Sequence, residues 1–257
     1  FSAAQIAAAE AALAAWASVA NITFVRVNDG DGYSNNAAIV FGNYSTGSAG
    51  AAAFAYNPSS GDQTVGSAQG DIWINSSLSY NANPVVGDYG QQVLLHEIGH
   101  ALGLNHPADY NAGNGVSIEY GTHATYYSDS RMFTSMSYFS ASNTGGITSL
   151  YASLPELHDI AAIQRLYGAN ITTRTGDTIY GFNSNTGLPE YIIALATEAA
   201  IFTVWDGGGV DTLDFSGYSH QQRDRSASRV VLKRWPYIQR RKWSRDLQHI
   251  DCARGRY

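Results

Sequence analysis

The chain has 257 residues, of which 44% are hydrophobic and 12% aromatic, with 26 glycines. This composition indicates a globular, loop-rich protein and excludes a fibrous or wholly disordered chain, and no apolar run reaches the roughly 20 residues that cross a membrane. The formal charge is −14 over residues 1–221 and +8 over residues 222–257, and the acidic body fits a secreted, cation-binding protein better than a nucleic-acid binder.

The first predicted element is a helix over residues 1–20. Ser2, followed three residues later by Gln5, forms a capping box at its start. Apolar residues then recur at helical spacing and predict one buried face, made of Ile6, Ala9, Leu13, Trp16 and Val19.

Short strands are predicted after this helix. Residues 22–27 alternate apolar and polar side chains, residues 38–41 form a second candidate, and residues 71–75 form a third. The stretch between them is rich in Gly, Ser, Ala and Asn, which predicts a loop with a short extended piece at residues 53–56.

Two more helices and a β-rich segment follow. Asp88 is a predicted N-cap and Gly103 the stop of one helix, and a second runs from Pro155 to Tyr167. From residue 171 onward, Gly, Asp, Thr and Asn punctuate short β-like runs. The pattern predicts an α+β protein, with a mixed sheet packed against helices and then a β-rich appendage.

The stretch from His96 to His106 has the spacing of a metal site. Residues four apart share one face of a helix, so His96 and His100 can bind one ion, and a turn at Gly103 can return His106 as the third ligand. Three nitrogen ligands with an open fourth position describe a catalytic zinc site. Glu97 is then placed to accept a proton from a water molecule at the metal.

Together with the zinc motif, further stretches carry a family resemblance. Ser135-Met136-Ser137-Tyr138 resembles the methionine turn of the metzincin metallopeptidases, and Pro107 directly after the third histidine resembles the serralysin branch rather than the astacins or matrixins. Residues 109–113, 159–170 and 181–185 agree, and the resemblance covers about residues 1–220.

The resemblance implies a metzincin catalytic domain over residues 1–168, in a secreted bacterial endopeptidase of broad specificity. Met136 would form an apolar floor beneath the zinc ligands. Tyr138 would ligate the zinc, swing away when substrate binds and stabilise the oxyanion. Extended polypeptide substrates would add to an edge strand, for which the candidate residues are Asp71, Ile72, Trp73, Ile74 and Asn75.

Residues 169–221 resemble the start of the calcium-binding β-roll of serralysins. Glycine-rich turns expose carbonyl oxygens and aspartates add charge, which together suit Ca²⁺. The family pattern implies carbonyl ligands from Arg174, Gly176, Thr178 and Gly208, and carboxylate ligands from Asp206 and Asp211.

The family pattern stops at residue 222, where a basic segment begins. The abrupt break favours a shifted reading frame or an incorrect sequence over a tail that binds an anionic surface. Cys252 is the one cysteine of the chain, which excludes an internal disulfide framework and leaves the cellular compartment open.

Two other functions stay open at this point. One is a binding module that keeps the metal without catalysis, although Glu97 is not needed to hold zinc. The other is a different zinc hydrolase, such as a deaminase or an esterase. The expected partners are polypeptide substrates and a proteinaceous inhibitor, with no nucleic acid and no membrane, and the expected state is a monomer.

Overall fold

The computed structural model describes residues 1–27, 36–46, 50–58, 66–113, 115–146, 150–218, 223–224, 230–231 and 248–252. Among these residues no helix is long and apolar enough to cross a bilayer. The elements in chain order are α1 (Ala3–Val19), β1 (Phe41–Tyr44), β2 (Ala53–Ala55), β3 (Ile72–Asn75), α2 (Ser79–Ala82), α3 (Tyr89–Ala101), α4 (Tyr120–His123), α5 (Leu157–Tyr167), β4 (Ile179–Gly181), β5 (Ala200–Val204), β6 (Thr212–Asp214), β7 (Arg223–Asp224), β8 (Val230–Val231) and β9 (Gln248–Cys252), with short 3₁₀ turns at Ala141–Thr144 and Pro189–Tyr191.

The first helix forms as its sequence predicts and packs on α3. Ser2 Oγ accepts the Gln5 amide and Gln5 Oε1 accepts the Ser2 amide, so both halves of the capping box are present. A buried stripe of alanines on α1 lets the two helices approach closely. Trp16 Nε1 donates to Leu95 O over 3.1 Å, and Gln91 Nε2 donates to Ala8 O over the same distance.

The first part of the chain, residues 1–168, contains a three-stranded sheet with the order β1-β3-β2. Strand β3 pairs parallel with β1 and antiparallel with β2. The sequence prediction is correct for β3 and displaced by three residues for β1. It is wrong for residues 22–27, which form no strand. There Ile22 and Phe24 pack against the core instead, so burial, not pairing, accounts for the apolar alternation.

The helix α3 lies at the centre of the core and contacts α1, α2, β2 and β3. Nearly all of it is buried, so its position is set from several sides at once. Gly99 faces Met136, and a β-carbon added there would lie 2.5 Å from Met136 Sδ and 3.2 Å from Trp16 Cζ2. The missing side chain therefore lets the Met136 segment pack directly against the helix.

The part of the chain after residue 168 packs against the part before it through α1 and α5. Asn170 Nδ2 donates to Ala17 O, and Thr203 Oγ1 donates to the buried Glu156 carboxylate that caps α5. Strands β4 and β6 pair parallel, and β5 belongs to a second sheet with the order β5-β9-β7-β8. Most of the basic segment 222–257, including its run of residues 232–247, lies outside the described residues.

Replacing Gly99 by alanine should lower the free energy of unfolding by about 1–3 kcal/mol, which is the usual cost of overpacking a core. Denaturation of the metal-free protein measures this change without the contribution of a bound ion. Gly121→Ala in α4 is the matched control, because an added methyl group there meets nothing within 4 Å. Equal stability of the two variants would contradict the tight packing between α3 and Met136.

Candidate metal centre

Three histidine side chains converge at the end of α3. His96 and His100 lie one turn apart on the helix, and Gly103, with φ of +96°, reverses the chain so that His106 returns to them. The Nε2 atoms of the three rings lie 3.0 to 3.2 Å from one another. This arrangement is the predicted three-histidine cluster.

The other nitrogen of each ring contacts a backbone carbonyl. His96 Nδ1 lies 2.8 Å from Ser135 O, His100 Nδ1 lies 2.8 Å from Leu104 O, and His106 Nδ1 lies 2.7 Å from Tyr110 O. A carbonyl oxygen can only accept, so each Nδ1 carries the proton and each neutral ring directs a lone pair from Nε2. Three lone pairs at this distance repel one another unless a cation lies among them.

The electrostatic environment keeps these rings neutral. Burial, followed by the neighbouring His100, holds the pKa of His96 well below its usual value. Burial also lowers the pKa of His100 to about 4 and lowers that of His106. Nitrogen ligands bound to one zinc ion in tetrahedral geometry lie about 3.3 Å apart, so the donor type, the protonation state and the spacing all fit zinc.

Glu97 is a buried carboxylate beside the first histidine. The residue is 6% exposed, and its Oε2 atom has no hydrogen-bond partner among the described residues. Burial raises the pKa of Glu97 to about 8. An ionisable group kept at this cost without a structural partner is typical of a group that acts on something absent from the protein itself.

The segment with Met136 lies beneath the histidines. Ser135 O accepts from His96 and also from Gln92 Nε2, and Met136 is 2% exposed against Gly99. Asp159, in the first turn of α5, accepts the Ser135 amide over 2.7 Å and the Thr134 hydroxyl over 2.5 Å. The start of α5 therefore holds the carbonyl that orients His96.

Tyr138 and Tyr110 enclose the third histidine. The Tyr138 ring centroid lies 4.4 Å from that of His106, and the Tyr110 ring stacks on His106 at 5.3 Å. Tyr110 Oη donates to Asp129 Oδ1 over 2.9 Å, and Ser137 Oγ donates to the same oxygen over 2.7 Å. One buried carboxylate thus joins the His106 loop to the methionine turn.

Two carboxylates, those of Asp159 and Asp129, hold the segments around the histidines, and only the first had a recognisable signal in the sequence. Asp159 stands three residues after Glu156 at the start of a predicted helix, and this capping-box spacing is a local signal that could have identified it. Asp129 has no such signal, because Tyr110 and Ser137 lie 19 and 8 residues away in the chain. Contacts of this kind become visible only in the folded protein.

The predicted substrate strand is wrong in one respect. The stretch Asp71, Ile72, Trp73, Ile74 and Asn75 contains β3, which has β1 on one side and β2 on the other, so it is not an edge. Within the described part of the sheet, β2 is an edge strand and packs against α3. Two residues beyond β2, Asn57 Nδ2 donates to Asn105 Oδ1 over 2.8 Å, directly before His106.

Two loops of the second half meet at the residues predicted to bind calcium. Residues 173–178 face residues 206–211, and side chains at Gly207 and Gly209 would collide with the backbone of the opposite loop. Asp211 Oδ1 accepts the Thr178 amide over 2.9 Å. Burial, with the nearby charges of Asp206 and Asp177, raises the pKa of Asp211 to about 6. The loops therefore collect negative charge that a cation would relieve.

Comparison with known proteins agrees with this geometry. Residues 2–168 match the family model described as Matrixin, and residues 169–229 match the model described as Peptidase M10 serralysin C terminal. The matrixin name, which the sequence motifs did not favour, belongs to the family model; the curated relatives below have serralysin or AprA names.

Serralysin A and serralysin C of Dickeya chrysanthemi are 51% and 52% identical to the chain over 226 residues, which is 87% of this chain and 45% or 46% of theirs. The metallopeptidase AprA of Pseudomonas marginalis is 49% identical over 232 residues, again 87% of this chain and 46% of its own length. The chain thus spans about half the length of the curated relatives it matches. By its family models, its identity to these relatives and its three-histidine cluster, the chain belongs to the serralysin-type metzincin metallopeptidases.

Proposed function

We propose that the chain is the catalytic part of a zinc-dependent endopeptidase of broad specificity. The observation that carries this proposal is the pairing of three neutral, converging imidazoles with the buried and unpartnered carboxylate of Glu97. A site that only held a metal would gain nothing from a buried acid beside it, because burial of a carboxylate is costly.

The proposed chemistry divides among three groups. Zinc held by the three histidines would supply Lewis-acid chemistry, polarising the scissile carbonyl and lowering the pKa of a water molecule. A zinc ion beside Glu97 would lower the pKa of its carboxyl and keep it ionised, so that Glu97 can accept the proton that this water loses and deliver it to the departing amine. Tyr138, whose pKa is raised mainly by burial, stays protonated and can donate its hydroxyl to the developing oxyanion.

We propose that the substrate lies extended along β2. An added strand bonds through its backbone, which gives affinity with little demand on side chains and suits broad specificity. The Asn57–Asn105 hydrogen bond fastens the chain beyond β2 to the segment that precedes His106. A strand along this edge would therefore lead towards the metal-binding cluster.

Experiments can distinguish a peptidase from the two alternatives, a binding module and a different zinc hydrolase. A binding module predicts stoichiometric zinc without cleavage of any peptide, whereas an esterase or deaminase predicts turnover of esters or nucleosides but not of peptides. The family membership of both segments favours peptide hydrolysis. We further propose that the protein is exported by a bacterium, in accordance with the acidic charge of residues 1–221.

Replacing Glu97 by glutamine should lower kcat/KM for casein or a fluorogenic peptide by about 10²–10⁴-fold, the usual contribution of a general base. The side chain keeps its size, so bound zinc should stay at the wild-type level when measured by elemental analysis. Glu119→Gln, at an exposed position of the same charge, is the control. Wild-type cleavage by the Glu97 variant would contradict the proposed role.

The two facing loops are proposed to hold a structural calcium ion. The carboxylates of Asp206 and Asp211 and the carbonyls of Arg174, Gly176, Thr178 and Gly208 would provide an all-oxygen ligand set, which Ca²⁺ prefers. Burial and the nearby charges of Asp206 and Asp177 raise the pKa of Asp211, and a cation bound there would offset both effects, which supports this assignment.

Replacing Asp211 by asparagine should remove most of the stabilisation that added calcium gives. A ligand at 100 times its Kd stabilises the folded state by about 2.7 kcal/mol, and thermal unfolding with calcium or with a calcium chelator measures that difference. Asp88→Asn, which changes an exposed carboxylate without a side-chain cap bond, should leave the calcium effect intact. An undiminished calcium effect in the Asp211 variant would place the ion elsewhere.

A further inference from the structure

Arg131 lies against two neighbouring tyrosine rings near the metal centre. Its Cζ atom is 5.3 Å from the ring centroid of Tyr89 and 5.5 Å from that of Tyr151, and the two rings are 5.0 Å apart. A guanidinium over aromatic faces is held by cation–π attraction and keeps its planar fork free for a ligand. The two rings therefore restrict where the positive charge can lie.

This guanidinium has no anionic partner in the described part of the chain. The ion pair found there joins Arg26 to Glu10. The Arg131 Nε atom is buried and makes no hydrogen bond within the described residues. A buried donor without a partner is rare in folded proteins, and in an acidic protein a carboxylate could readily have been supplied. The guanidinium is therefore not neutralised within the described residues and is available to an anion from outside the chain.

Arg131 is connected to the metal centre through α3 and through the loop that carries Met136. Tyr89 and His96 are seven residues apart on α3, which puts them on one face about 10 Å apart along the axis. The pKa of Tyr89 is raised mainly by burial, and Arg131 and Glu97 act on it with opposite signs, so Tyr89 lies within electrostatic reach of both. The Arg131 amide also donates to Phe139 O over 2.9 Å, closing the loop that carries Met136 and Tyr138.

We propose that Arg131 is a specificity-determining residue that binds an acidic side chain of the peptide substrate. The inference rests on the proposed peptidase function. An extended peptide advances about 3.3 Å per residue, so a residue within about three positions of the scissile bond lies at the distance of Tyr89 from His96. A carboxylate there can accept two parallel N–H bonds from the guanidinium. Peptides with Asp or Glu at that position are the preferred substrates.

The test compares matched peptides that differ only by glutamate or glutamine, placed in turn at each of three positions on either side of one scissile bond. The ratio of kcat/KM for the two peptides is the readout, because a purely structural defect lowers both values and leaves their ratio unchanged. We expect the wild-type ratio to reach about tenfold at one position. It should fall as salt is added, because ions screen the attraction.

Arg131→Gln should bring that ratio close to one, and Arg131→Glu should reverse it in favour of a lysine peptide. Arg131→Lys keeps the charge and should keep part of the preference, which covers the case in which the neutral variant does not fold. Arg26→Gln removes the same charge from the ion pair with Glu10 and should leave the ratio at the wild-type value.

Two results would overturn the inference. Peptide cleavage with no difference between glutamate and glutamine at any position contradicts it and leaves the peptidase function standing. Persistence of the wild-type ratio in the Arg131→Gln variant also contradicts the inference and leaves the peptidase function standing. Failure of the zinc-loaded protein to cleave any peptide contradicts the peptidase function itself, and this inference with it.

Discussion

The three contacts between imidazole Nδ1 atoms and backbone carbonyls are the constraint on which the site depends. Ser135, Leu104 and Tyr110 supply these carbonyls from three different segments. Each fixes one tautomer, and together they aim three lone pairs at one point. Without a divalent cation the arrangement is electrostatically unfavourable. The fold must therefore hold it by interactions elsewhere.

Two buried carboxylates do much of this holding. Asp159 ties the start of α5 to Ser135, and Asp129 ties Tyr110 to Ser137. Burial raises the pKa of Asp159 to about 6 even though its hydrogen bonds lower it, so near neutral pH the buried group is mostly ionised and depends on its donors. Two carboxylates outside the cluster of three possible ligands thus position the first and third histidines.

The sequence predicted those features that depend on residues close to one another in the chain. The capping box of α1, the bounds of α3 and the turn at Gly103 follow from residues within one or two turns of helix, and the histidine cluster follows from them. Strand order could not be predicted from nearby residues, because no local pattern in the sequence specifies that β3 pairs with both β2 and β1. The substrate strand was therefore assigned to β3, where both sides are paired. For the same reason there was no signal in the sequence for the contacts of Asp129 or for the position of Arg131 against two tyrosine rings.

The most direct test of the zinc-centred interpretation is the metal content of the protein after exposure to zinc and removal of the excess. Three neutral imidazoles that share one point should hold one zinc ion per chain, and His106→Ala should release it, because it removes one of three ligands. Elemental analysis with a competing chelator measures both the stoichiometry and the affinity. A wild-type chain that retains no zinc, or that retains it unchanged without His106, would contradict the assignment of these histidines as the metal ligands.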